Sequence, residues 1–121
     1  MRFEARELKP YGEPVEPDDL REEEVYFSVQ FADAELLIPM LEPLVFIGRN
    51  LENGDTELAA NRTLLYFQRF ESYSVGVRYD AAADDHADDF HVRGPEDVKH
   101  IYEYERALDV LLGCSLRRRN R

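Results

Sequence analysis

Two prolines four residues apart, Pro39 and Pro43, punctuate the most apolar run of the chain, Leu36 to Ile47, and limit the topologies open to it. N–H groups along a strand alternate in direction with a period of two, so both prolines remove donors from the same side of any ladder. The run is therefore expected at a sheet edge, or broken, with a short helix or loop over residues 34–40 and a strand restarting over 43–47. It is apolar on both sides. Residues 63–70 share this property, with Leu65 and Phe67 facing one way and Leu64, Tyr66 and Phe70 the other. Two such strands need cover on two faces.

The flanking segments supply the rest of a sheet. Val25, Phe27, Val29 and Phe31 alternate with Tyr26, Ser28 and Gln30, the pattern of a half-buried strand. Asn53-Gly54-Asp55 lies between the two apolar runs and predicts a hairpin connection, so the strands on either side should pair antiparallel. After Glu71 and Ser72, Tyr73, Val75, Val77 and Tyr79 alternate with smaller or polar residues, which predicts a bulged continuation or a further strand. Residues 2–8 and 90–93 read as short extended pieces. Residues 10–24 hold four turn residues among many acids and read as a solvated loop, with a helical turn near 18–23; residues 81–89 read as a second acidic loop, mobile in its first part.

A C-terminal helix is expected over residues 94–112. Pro95 suits a first helical position, and Glu96 and Asp97 put negative charge at the positive end of the dipole. At helical spacing Val98, Ile101, Tyr102, Leu108 and Leu112 share one face, with Lys99, Glu103 and Arg106 opposite. The predicted fold class is α+β: an antiparallel sheet of four to five strands, curved or partly closed, with this helix packed on one face. Residues 1–121 suffice for one such domain. One helix covers one face, so the second calls for sheet curvature or another subunit, and a homodimer is the expected assembly.

Charge narrows the partners. Asp and Glu number 26 against 15 Lys and Arg, a formal net charge of −11, although Arg117, Arg118, Arg119 and Arg121 crowd into a basic tail at 117–121. Such a surface repels nucleic-acid phosphates, so DNA is not an expected ligand and a basic protein partner is. The apolar run is too short to span a bilayer, which takes about 20 residues. Charged residues follow Met1 at once without a secretion signal, and Cys114 is the single cysteine, so a membrane location is not expected and a cytoplasmic one is.

Three groups of residues have the chemistry of a site. Glu105 falls inside the apolar stripe of the predicted helix and Asp109 on its margin; they project from one side at i and i+4, and either pair with an arginine of the sheet or border a cleft. Glu22, Glu23 and Glu24 head the strand at 25–31 and are candidates for holding a basic partner. Asp84, Asp85, His86, Asp88, Asp89 and His91 have the ligand types for a divalent metal ion, but neither calcium-hand nor zinc-hydrolase spacing; a solvated loop is the plainer reading. His100 and Glu103 read as an exposed helical pair. No nucleophile motif or phosphate-binding glycine loop is present, so an enzyme is not the favoured reading and no cofactor is implied. The sequence reading is a non-enzymatic interaction module or small regulatory accessory protein with an acidic surface. The alternative is a metal- or small-molecule-binding protein, an enzyme included, using the helix carboxylates and the Asp/His-rich segment.

Overall fold

The computed structural model describes residues 2, 4–5, 7–9, 11–52, 63–81 and 84–120. Five strands form one open antiparallel sheet: β1 (Val25–Phe31), β2 (Pro39–Arg49), β3 (Leu65–Arg69), β4 (Phe90–Arg93) and β5 (Ile101–Tyr102), in the spatial order β4-β3-β2-β1-β5. A short helix α1 (Phe70–Ser74) follows β3, and the main helix α2 (Tyr104–Arg119) ends the chain. The predicted class, α+β with one main C-terminal helix on an antiparallel sheet, is what is observed. The Asn53-Gly54-Asp55 turn lies outside the described residues, but the strands flanking it, β2 and β3, pair antiparallel as expected.

The prolines are accommodated without breaking β2 or moving it to the edge. The Phe46 N–H donates to Glu24 O at 3.0 Å, so even-numbered β2 residues bond toward β1 and odd-numbered N–H positions face β3. Pairing with β3 begins only at Leu44. Pro39 and Pro43 therefore lie in a half-strand whose β3 side has no ladder to lose. The central strand is locally an edge.

Cover for both faces comes from the chain itself. Phe27 stacks edge-on against Tyr104 with ring centroids 4.9 Å apart, and the Arg117 guanidinium lies over Phe31, which places α2 across one face of β1. Farther along that face, the fully buried Gln68 donates from Nε2 to Ser72 Oγ and Val77 O, both at 2.9 Å. The opposite face holds the core of Tyr26, Leu44, Phe46, Leu65 and Phe67, closed over by Leu20, Val98 and Ile101 with Val15 packed against them. The face opposite α2 is thus packed by segments of the same chain, and the sheet stays open rather than closing into a barrel.

Five segments depart from expectation. Residues 94–112 are not one helix: Pro95–Asp97 is a 3-10 turn, β5 pairs with β1, and α2 starts at Tyr104. Val98 and Ile101 are buried through that turn and strand, while Leu108 is 48% exposed. The alternation after Ser72 does not form a strand either, because α1 and a turn at Gly76 (φ +96°) take its place and leave Val75 78% exposed. Residues 10–24 contribute to the core through Leu20 and Val15, and their helical turn is Pro17–Asp19. No strand forms among the described residues of 2–9. Arg117 to Arg119 belong to α2, and Arg117 donates to Leu36 O from Nε and Nη2 at 3.1 and 2.8 Å, pinning the β1–β2 turn. Among the described residues no helix is long and apolar enough to cross a membrane.

Candidate functional site

A groove of about 1140 Å³ opens between the segment at 13–21, the start of β1 and the first turn of α2. Its walls carry seven carboxylates, Glu13, Glu16, Asp18, Asp19, Glu24, Glu103 and Glu105, against two arginines, Arg21 and Arg106. Val15, Leu20, Val25, Tyr26 and Tyr104 supply the apolar lining, and Tyr104 keeps 69% of its surface exposed. Carboxylates at the start of α2 are favourable on their own account, since they face the positive end of the helix dipole.

Three contacts hold the outer wall. Arg49, with its guanidinium 4.8 Å from the Phe46 ring centroid, donates from Nη2 to Pro17 O at 3.0 Å and Leu20 O at 2.9 Å. The Val15 N–H donates to Ile101 O, and the Arg21 N–H to the Tyr26 hydroxyl, each at 2.9 Å. Below the wall the chain passes close over α2: a Cβ at Gly12 would stand 2.4 Å from Arg106 O. Only a residue without a side chain fits there.

The helix carboxylates have different surroundings. Asp109, 2% exposed, accepts the Lys9 N–H at 2.9 Å and Arg106 Nη1 at 3.2 Å, so its buried charge is matched by two donors. Glu105 is half-buried on the groove wall, and both residues also line an adjoining hollow of about 370 Å³ with Glu7. Of the acidic triplet, Glu24 enters the groove, whereas Glu22 and Glu23 lie exposed on the turn before β1 and do not line it; Glu23 takes a positive φ of 67°. Glu24 and Glu105, distant in sequence, are thereby brought to one cleft.

The Asp/His-rich segment divides. Asp84–Asp89 forms a 3-10 run in which His86 Nδ1 lies 3.1 Å from Asp89 Oδ2; the side chains of Asp84 and Asp85 lie outside the described residues, and Asp88 is exposed. Among the described residues no group of three or more His, Cys, Asp or Glu side chains is arranged to hold a metal ion. His91 belongs to β4 and lines a second, small cavity with His100. His100 and Glu103 therefore do not form the expected helical pair: one lines the cavity and the other the groove. Sequence reasoning missed this cavity, although the i, i+2 spacing of His91 and Arg93 in an extended segment was a signal that both share a face.

Comparison with known proteins finds no match for this chain among protein-family models, curated proteins or solved structures.

Proposed function

We propose that the chain is a non-enzymatic interaction module whose groove receives a lysine- or arginine-rich segment of a partner protein. The observation that carries this reading is the convergence of seven carboxylates from three separate elements on one cleft that also presents an exposed tyrosine. A carboxylate-walled groove attracts cations at a distance, and Tyr104 offers a ring face on which a guanidinium or ammonium can rest, worth about 0.5–1 kcal/mol at an exposed site. Contacts of this kind give fast association and specificity for charge sign, with modest affinity that falls as salt rises.

The test separates the groove from overall negative charge. A fluorescent oligo-arginine peptide should bind the wild-type protein at low salt and lose at least about tenfold in affinity when salt approaches 0.3 M. Glu24→Gln with Glu105→Gln should weaken binding several-fold. Glu22→Gln with Glu23→Gln removes the same formal charge just outside the cleft and should change binding far less. Equal losses in the two double variants would reject the groove as the recognition surface.

A further inference from the structure

The cavity lined by His91 and His100 holds chemistry that the groove does not use. It is small, about 60 Å³, and formed where β1, β2 and β4 present one face of the sheet to the 94–100 segment. Its floor is Leu44, Phe67 and Ile101; its polar lining is Ser28, Gln30, Glu42, His91, Arg93 and His100. The sheet register fixes these positions, with Ser28 opposite Glu42 and Phe67 opposite His91. His100 is placed by its own carbonyl, which accepts the Val29 N–H at 2.9 Å. By volume the cavity admits a few atoms of ligand and no more, since one water needs about 10–15 Å³ by the same measure.

Charges around it are unevenly matched. Glu42 is ion-paired with Arg69, its Oε1 3.2 Å from Nε, and although the side chain is 41% exposed that oxygen is itself buried and accepts no hydrogen bond. Arg93 forms no ion pair among the described residues; its guanidinium bonds back to Val92 O at 3.1 Å. Both imidazoles have pKa values lowered from their ordinary value, by burial first and the Arg93 charge second, so they are neutral at pH 7. Glu42 and Asp89 oppose that shift at His91, Arg69 adds to it, and Asp97 opposes it at His100.

We propose that this cavity is a site for a small protonated oxyanion, inorganic phosphate, held by Arg93, His91 and His100 with its hydroxyl donated to Glu42. The ligand class follows from the pairing requirements. Arg93 and the two imidazole edges offer positive charge and N–H donors, which call for anionic oxygens. The buried Glu42 oxygen, ion-paired to Arg69 but without a hydrogen bond, can accept an O–H from the same ligand. A hydrogen phosphate has both, whereas a plain carboxylate such as acetate has only the first. The protein's overall negative charge opposes any anion, but its charges are mostly exposed and screened, while Arg93 acts at close range across a partly desolvated space.

Binding must then raise the proton affinity of both imidazoles, and this is the measured quantity. His91, His100 and His86 are followed by NMR from pH 4.5 to 8.5 in chloride, in inorganic phosphate and in acetate, at matched ionic strength. The expected result is an upward shift of about one pH unit in the His91 and His100 midpoints in phosphate, a smaller one in acetate, and none at His86. Arg93→Gln abolishes the phosphate response, and Arg93→Lys, which keeps the charge, retains part of it. Identical midpoints in chloride and phosphate would overturn the proposal. So would a shift shared by His86, or one that persists in a folded Arg93→Gln protein.

Discussion

The groove and the cavity are built in opposite ways. The groove gathers seven carboxylates on surface segments around an apolar strip, and its outer wall is tied to the sheet by the Arg49 side chain, by the Val15 and Arg21 N–H groups and by buried Leu20. The cavity is far smaller and sets its six polar groups over a floor that is the core itself: Leu44, Phe67 and Ile101 belong to the cluster that holds the sheet together. The exposed carboxylates of the groove can therefore change without unfolding the protein, whereas the floor of the cavity cannot be reshaped without touching stability. Charges in the groove act through water and ions; those in the cavity act at close range on each other.

The sharpest way to break this contrast is to truncate the cavity floor. Phe67 is fully buried, its ring centroid 5.4 Å from that of Phe46. Phe67→Ala should cost about 3–5 kcal/mol in urea unfolding, since it removes apolar burial and leaves a void next to an existing one. A loss below about 1 kcal/mol would mean that the cavity floor is not part of the cooperative core.

A smaller effect is expected where the groove meets the scaffold. Arg49→Ala removes two hydrogen bonds from a charged donor to the Pro17 and Leu20 carbonyls, together with the stacking on Phe46. A loss of about 1.5–3 kcal/mol in stability is expected. Oligo-arginine affinity should fall with it although no acidic residue has been altered, because the wall bearing Glu16, Asp18 and Asp19 is held less firmly. Retained affinity with lowered stability would show that the peptide reads local charge rather than the shape of the cleft.

Which parts of this were readable in the chain follows from the range of the interactions. The Val25–Phe31 alternation and the antiparallel partner for the second apolar run depend on local pattern, and both are present. Pro39 and Pro43 announced an edge; the edge exists, but only along half of β2, because where β3 begins is set by pairing across a long connection. The helix boundary failed for the same reason. Val98 and Ile101 have helical spacing, yet Ile101 and Tyr102 pair with β1, some seventy residues earlier in the chain, and no periodicity within residues 94–112 records that partner. Of the candidate residues, Glu105 stood out because a carboxylate sat in an apolar pattern. The pattern also predicted less burial for Asp109 than it has, since the donor that satisfies it, the Lys9 N–H, comes from the other end of the chain. Arg93 showed only its i, i+2 spacing from His91 and His100 nothing; the β3–β4 register and the hydrogen bond from Val29 N–H to His100 O bring them to one cavity.

The least energetic prediction distinguishes the two regions by pH. Unfolded imidazoles titrate near 6.5, and those of His91 and His100 titrate lower in the folded protein, for burial and for proximity to Arg93. Between the folded and unfolded values the unfolded chain binds more protons, so stability falls as pH drops below 6.5 and levels off once the folded imidazoles are also protonated. Both rings are partly exposed, so the loss should be modest. Urea unfolding of wild-type protein and of His91→Gln with His100→Gln at pH 7.5 and 5.5 isolates it, because the variant retains every groove carboxylate. The wild type should lose more stability than the variant across that interval. An equal loss in both would move the acid sensitivity to the carboxylates and away from the cavity.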